Sequence, residues 1–565
     1  MTVKKKPLPI GIDDFEKIIA GDYYYVDKTN LIRDLLDMRG EVTLFTRPRR
    51  FGKTLNMSIL RYFFEDTGAK DKNEYNRKLF RGMKIMEAGD VYTNEMTKYP
   101  VISLSLKSGK QPDFAMALES IQDEIIKEFN RHNDIINSGK LLDNEIERFK
   151  NIQRGTASRL QYAKALEFLS SCLMKCCGIK VIILIDEYDV PLENAYFEGF
   201  YDQMASFIRS LLESALKTNP YLSFAVITGC LRITRESIFT GLNNLEIVSI
   251  MNENYGEYFG FMQWEADEML SYYERESAGE TLKSWYDGYR FGNAEVYNPW
   301  SVINFVKALN ANPEAYPSPY WANTSSNNIV KMLIEGADVT VKGEIERLID
   351  GGWIEKQMHE DITFEDIEES QDNLWNFLLF TGYLRLEERR MEGDMQYGRM
   401  MIPNTEVRYL YKSLILSWFD QIVRQKDLAA LFRAIEYGDA EIFTKELSEN
   451  LQETISFYDY AENYYHGFVA GLLKNMDKYQ VISNRESGAG RPDLILKTPS
   501  VSGAAIIIEL KAVKSLKDLQ KGCREALRQF QNMDYERELR KEGYEKILKY
   551  GISFFKKECL VLAEE

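Results

Sequence analysis

Short apolar runs alternate with longer amphipathic stretches along the N-terminal half of the chain. Five runs have the length and composition of strands: Val42–Thr46, Val101–Leu106, Val181–Asp186, Phe224–Thr228 and Ile247–Ile250. Helix-periodic segments lie between them, among them Ala115–Phe129 and Phe200–Lys217. Strands that are apolar on both faces and separated by helices predict a parallel sheet covered on each side, an α/β fold. From Tyr258 the pattern becomes mostly helical. Leu384–Ile402 interrupts it with an alternation that turns at Gly393-Asp394 and predicts a hairpin. Helices followed by a hairpin suit a winged-helix module. After Glu453 the pattern returns to α/β. The predicted organisation is an α/β domain over 1–257, a helical, winged-helix-like middle region over 258–455 and a smaller α/β domain over 456–565.

The 565 residues are 45% hydrophobic and 28% charged, which excludes a mainly disordered or fibrous chain. Apolar runs such as Val181–Ile185 are far shorter than the ~20 residues that span a bilayer. The opening MTVKKKPLPIGIDDF turns acidic instead of supplying an apolar signal region, so a cytoplasmic protein is expected. Cys172, Cys176 and Cys177 fall in one helical run, with His132, His359 and His466 remote in sequence. Paired zinc spacings are missing, and the thiols read as buried or free in a reducing compartment. The net charge of −16 is uneven: Ser456–Glu565 carries 18 Lys+Arg and 16 Asp+Glu, a net of +2, against −18 for the rest. The whole chain is therefore unsuited to coating a polyanion, and its C-terminal end is the part that tolerates one.

After the first strand comes Arg47-Pro48-Arg49-Arg50-Phe51-Gly52-Lys53-Thr54, followed by a helix. Against GxxxxGK[ST], the closing Gly-Lys-Thr is intact and Arg47 stands at the first glycine. Gly52 lets backbone amides curl round a phosphate, with Arg49, Arg50 and Phe51 in the same loop. Lys53 has the length to reach β- and γ-phosphates, and Thr54 the hydroxyl to hold Mg²⁺ at a helix N-terminus. The third strand ends in Asp186-Glu187, at the carboxyl edge where ligands bind such sheets. Asp186 would complete the Mg²⁺ shell, and Glu187 would polarise the attacking water. Thr228 closes the fourth strand, where it could sense the γ-phosphate. Arg232 and Arg235 follow as candidate charge-stabilising arginines or plain solvated charges.

YYYVDKT, FTRPRRFGKT, LIDEYDVP, ITG, SIFTGLNNL and WYDGYRFG…VYNPWS together resemble the AAA-ATPase-like family, P-loop ATPases commonly fused to a C-terminal nuclease-fold domain. The resemblance covers roughly residues 8–300. In that family the loop typically reads RPRRFGK[ST], which makes Arg47 a family trait. It implies ATP as ligand, Lys53, Thr54, Asp186 and Glu187 as nucleotide and Mg²⁺ residues, and a homo-oligomer as the AAA-type habit. It gives no role to Asp27-Lys28-Thr29 or to SIFTGLNNL.

Near the C-terminus, Arg491-Pro492-Asp493-Leu494-Ile495-Leu496 and Ala505-Ile506-Ile507-Ile508-Glu509-Leu510-Lys511 flank a Pro/Ser/Gly turn. Asp493 and Glu509 are equidistant from Val501, so a symmetric hairpin makes them cross-strand neighbours. Period-2 alternation adds Lys511 to that face. Asp493 and Glu509 could hold Mg²⁺ or Mn²⁺, with Lys511 acting on the attacking water. The pattern Pro-Asp…Glu-x-Lys resembles the PD-(D/E)XK nuclease superfamily. That resemblance implies an acidic residue on a preceding helix, here Glu462, and a glutamine on the following helix, here Gln529 with Gln531 beside Tyr535 as rival. Lys514, Lys517, Lys521, Arg524 and Arg528 recur at helical spacing and predict a cationic stripe, fit for a phosphate backbone or for i,i+4 pairing with Asp518 and Glu525.

These readings converge on an ATPase whose nucleotide state controls a metal-dependent DNA or RNA nuclease, in a setting of genome defence or mobile elements that rests on resemblance alone. One rival is a signalling or scaffold ATPase whose nuclease fold binds a partner without cutting. Another is a translocating motor, disfavoured because the acidic N-terminal part has no basic run beyond Arg47–Lys53, which phosphates would occupy.

Overall fold

The computed structural model describes residues 4–217, 219–232, 239, 243–321, 330, 339–360, 370–413, 428–452, 462–474, 476–483, 492–532 and 535–564. Two compact units divide the chain: residues 1–326 with 353–408, and residues 327–352 with 409–565.

The first unit is built on five parallel strands, β1 (Val42–Thr46), β2 (Val101–Ser105), β3 (Val181–Asp186), β4 (Leu222–Gly229) and β5 (Leu245–Val248), in the order β2-β3-β4-β1-β5. β1, β3 and nearly all of β4 are buried, as strands with helices on both faces must be. The predicted strands match these to within three residues at each end. The edge strand β2 is protected by a side chain: the buried Glu128 carboxylate accepts the Ser103 amide at 2.8 Å.

A two-stranded ribbon, β6 (Tyr289–Phe291) and β7 (Ala294–Val296), precedes the Pro299–Ala311 helix, whose start is capped by Asn298 accepting the Ser301 amide. The expected hairpin is present as β9 (Arg385–Glu392) and β10 (Met395–Met401), and β8 (Ile354–Gln357) adds a third antiparallel strand. On its exposed face Arg385, Arg390 and Arg399 are each paired with a glutamate.

The second unit contains a mixed sheet of β11 (Gln480–Ser483), β12 (Leu494–Lys497), β13 (Ala504–Ala512), β14 (Lys546–Phe555) and β15 (Glu558–Glu564), in that order. Only β13 and β14 run parallel. The Leu519–Asn532 helix lies close on β14: a Cβ on Gly551 would come within 2.5 Å of the Cys523 carbonyl, so no larger residue fits. The Glu462–Leu473 helix and the Ala429–Gln452 segment cover the other face, through Leu431, Phe443, Tyr465 and Val469.

Candidate functional site

The carboxyl ends of β3, β4 and β1 lie side by side and open into a cavity of about 360 Å³. The loop after β1 forms its floor. Gly52 takes φ +81° and caps the Lys53–Phe64 helix, and a Cβ there would point into open space. A phosphate could approach the backbone closely there, at the amides of a helix N-terminus. Lys53 is buried, and its ammonium donates to the Arg47 and Pro48 carbonyls at 2.8 Å each. Thr54 Oγ1 donates to Asp186 Oδ2 at 2.7 Å. Thr228 donates to the other oxygen of Asp186 and accepts the Glu187 amide at 3.4 Å. Thr54 and Asp186 are thus the pair that could hold a Mg²⁺, and Thr228 orients Asp186 instead of projecting into the cavity.

Glu187 lines the cavity in a left-handed conformation, φ +53°, which costs a non-glycine residue on the order of 1 kcal/mol. Burial, and then Asp186, push its carboxyl above the ordinary range, while Lys53 and Lys107 pull against that. Such a group suits a general base near neutral pH. The next two residues are structural. Tyr188 donates to the Leu231 carbonyl at 2.7 Å, and Asp189 accepts the Cys230 and Leu231 amides at 2.6 and 3.1 Å. Gly229 fits beneath them: a Cβ there would meet the Tyr188 ring at 2.5 Å.

Arg47 does not face the phosphates, contrary to the expectation that the whole run from Arg47 to Lys53 would meet them. Its side chain is fully buried, donates to the Thr46 and Val248 carbonyls at 2.9 and 2.8 Å, and lies over the rings of Phe259 and Phe291. Arg49 pairs with Glu193, and Arg50 lies 4.5 Å from the centre of the Trp300 ring. Phe51 is buried edge-on between Tyr289 and Phe291. WYDGYRFG…VYNPWS therefore supports the loop from below and beside. The far side of the cavity is apolar, with Ile12, Tyr24, Val26, Phe261, Trp300 and Ile303, and suits a nucleobase. Spacing alone could not indicate this wall, because its members come from three separate stretches of chain.

Asp27-Lys28-Thr29 is a clasp. Asp27 accepts the Thr29 and Lys84 amides, Thr29 accepts the Ile85 amide at 3.1 Å, and buried Lys28 donates to Glu265 at 2.5 Å and the Glu257 carbonyl at 2.7 Å. Behind the loop, Trp321 donates its indole N–H to the Arg49 carbonyl at 3.2 Å, and its amide to Glu406 at 2.7 Å. Ser301 donates to the same carboxylate. Burial raises Glu406 from 4.5 to about 7, so between those values the folded chain binds more protons than the unfolded one. Its contribution to stability then falls as pH rises through that window, by up to about 3 kcal/mol. In Glu406→Gln the drop in melting temperature from about pH 5 to about pH 8 is expected to be smaller than in the wild type, by calorimetry.

In the second unit the hairpin register is Leu494↔Ile508, which carries on to Asp493 opposite Glu509. The Asp493 amide donates to Glu509 Oε2 at 3.4 Å, and Asp493 Oδ2 accepts the Leu510 amide at 2.8 Å. The predicted cross-strand pair is therefore in place. Lys511, two residues beyond Glu509 on β13, is half-buried. Two carboxylates facing each other beside a lysine are a donor set fit for Mg²⁺ or Mn²⁺. Among the described residues no third His, Cys, Asp or Glu joins them as a metal group. Glu462 opens the preceding helix, and its side chain lies outside the described residues. His466, one turn on, was not singled out from sequence; its Nε2 donates to the Asp493 carbonyl at 3.0 Å.

Residues 9–239 match the family model described as "Predicted AAA-ATPase", and residues 460–564 that described as "PD-(D/E)XK nuclease superfamily". The chain carries an AAA-ATPase-like domain and a PD-(D/E)XK nuclease superfamily domain. It is also 26% identical, over 423 residues, to a protein of Azotobacter chroococcum mcd 1 described as "Uncharacterized protein in vnfD 5'region", with 74% of this chain and 72% of that one covered.

Around the nuclease-superfamily hairpin, Gln529 lies on the Leu519–Asn532 helix, and its buried Oε1 has no hydrogen-bond partner among the described residues. The side chains of Gln531 and Tyr535 lie outside the described residues, as does Arg491. The cationic stripe is shorter than its spacing implied. The helix begins at Leu519, which leaves Lys514 ahead of it and Lys517 in a preceding 3₁₀ turn. Lys521, Arg524 and Arg528 remain on the exposed face, with Lys521 3.9 Å from Glu525. Asp518 accepts the Ser515 hydroxyl. In the ATPase-like domain, Arg232 is not among the residues lining the cavity, and Arg235 and most of SIFTGLNNL lie outside the described residues. The cysteines are free; Cys172 is buried and Cys177 exposed. No described helix is long and apolar enough to cross a membrane.

Proposed function

We propose that the protein binds and hydrolyses ATP in the cavity at the β1, β3 and β4 ends, and that its nucleotide state controls a metal-dependent phosphodiesterase centred on Asp493, Glu509 and Lys511. The observation that carries the reading is the coexistence of two groups of residues suited to these chemistries in one chain: Gly52-Lys53-Thr54 facing Asp186-Glu187, and two carboxylates paired across a hairpin with a lysine on the same strand.

In this reading the apolar wall takes the base, and the Gly52 loop takes the phosphates. Lys53 exchanges its two loop carbonyls for phosphate oxygens, so its ammonium stays solvated by acceptors throughout. Thr54 and Asp186 would hold Mg²⁺, which would neutralise phosphate charge. Glu187 orients the attacking water and takes its proton. At the second centre Asp493 and Glu509 would hold the divalent ion, which would act as a Lewis acid on the phosphodiester. Lys511 neutralises charge on the attacked phosphate. Glu462 and Gln529 are the further residues assigned to that centre, Gln529 through its unpartnered amide oxygen.

The test is incubation of the full-length protein with single- and double-stranded DNA and RNA, with Mn²⁺, with and without ATP. Cleavage of at least one substrate, at a rate that depends on ATP, is expected. No cleavage of any substrate under either condition would favour a scaffold ATPase whose nuclease-fold domain only binds.

A further inference from the structure

Arg232, which follows β4, does not line the cavity, and phosphoryl transfer from ATP to water is accelerated by a cation beyond the loop lysine. We propose that Lys107, in the turn leaving β2, is that cation and is supplied in cis by the chain that binds the nucleotide. The inference rests on the ATP-hydrolysis reading.

β2 runs beside β3 in the register Ser105↔Asp186, and the Leu106 amide donates to the Asp186 carbonyl at 3.0 Å. The next residue, Lys107, is thereby brought alongside Glu187. Lys107–Gly109 form a single 3₁₀ turn, seated against the helix that follows Asp189. A Cβ on Gly109 would stand 2.8 Å from Pro191 Cγ and 3.1 Å from Ile121 Cδ1, so the turn packs as closely as its backbone allows. Lys107 and Lys110 both line the cavity with Lys53, Thr54 and Glu187. Of the two, Lys107 directly follows Leu106, whose amide is bonded to the Asp186 carbonyl next to Glu187.

Three other cations lining the cavity are engaged. Arg49 is paired with Glu193, Arg50 lies on Trp300, and Lys53 donates to two loop carbonyls. No ion pair among the described residues holds the exposed Lys107 ammonium. The step it would serve is simple in its balance. The water oxygen forms a bond to the γ-phosphorus, and the bond from that phosphorus to the bridging oxygen breaks with its electron pair left on ADP. One water proton passes to Glu187 and then to solvent. Charge grows on the bridging oxygen and spreads over the phosphoryl oxygens, where an ammonium from the Glu187 side can offset it.

Because Lys107 belongs to the same chain as Lys53, turnover should not require a second subunit. In the full-length protein, Lys107→Ala should leave the Kd for ATP within about threefold while kcat falls by about 100-fold or more, with partial recovery in Lys107→Arg. The variant should also lose about 100-fold in affinity for ADP with aluminium fluoride, a mimic of the transferred phosphoryl group, measured by calorimetry. Wild-type turnover per chain should be constant across a range of protein concentration. A Lys107→Ala variant that keeps kcat and its affinity for the mimic within twofold would overturn the assignment and leave the ATPase reading standing. Turnover that rises with protein concentration would move the cation to a partner subunit and overturn it equally. A wild-type protein that binds no ATP, or binds it without hydrolysis, would overturn the ATPase reading and this inference with it.

Discussion

Lys53→Ala is expected to weaken ATP binding and to reduce hydrolysis by on the order of 10³-fold. The ammonium is buried in the loop between the Arg47 and Pro48 carbonyls, so its loss removes the closest cation from the phosphate cradle. Glu187→Gln should behave differently. It keeps the shape of the side chain and the left-handed backbone, and removes only the base. ATP should then bind near wild-type affinity and persist unhydrolysed, with turnover down by about 100-fold or more. Titration calorimetry and a phosphate-release assay separate the two outcomes. Wild-type turnover in both variants would mean that the β1–β3 site is not where ATP is hydrolysed.

The second large effect concerns the hairpin. Asp493 and Glu509 face each other across the strands, and as proposed ligands they would be drawn together by a divalent ion that offsets their like charge. Asp493→Asn and Glu509→Gln should each abolish the heat of Mn²⁺ binding to the nucleotide-free full-length chain that is attributable to this site. Each should also lower cleavage by more than about 100-fold, a loss near 2.7 kcal/mol of transition-state stabilisation. Lys511→Ala should lower cleavage comparably and leave the Mn²⁺ heat in place, since a protonated lysine offers no lone pair. A surface ion-pair cluster would give little Mn²⁺ heat in any of these proteins, and no loss of cleavage in any of the three variants.

The sequence made these sites legible where chemistry is local. Gly52-Lys53-Thr54 sits between a strand and a helix, and Asp186-Glu187 ends a strand with no polar residue inside it; order and periodicity were enough to bring them to one sheet edge. The Asp493–Glu509 pairing followed from counting outward from Val501, because a tight hairpin fixes its own register. What the pattern could not supply was anything assembled from distant segments. The cavity wall of Ile12, Tyr24 and Trp300, the Lys28–Glu265 pair and the Trp321–Glu406 contacts all join residues far apart in the chain. Arg47 illustrates a different limit. Basic residues in a phosphate loop suggest phosphate contacts, yet the side chain of Arg47 turns inward to two carbonyls and two aromatic rings. The cationic stripe failed for a backbone reason: Lys514 and Lys517 precede the helix whose periodicity was assumed for them.

Nucleotide state is proposed to govern cutting. The most direct test of this control is the cleavage rate of the full-length Glu187→Gln protein with Mn²⁺, measured with and without ATP on the nucleic acid the wild type cuts. This variant holds ATP without consuming it, so the bound state can be compared with the empty one. A rate that changes by about tenfold or more on adding ATP, and does not change in Lys53→Ala, is the predicted result. Equal rates with and without ATP, in a variant shown by calorimetry to be nucleotide-bound, would contradict it.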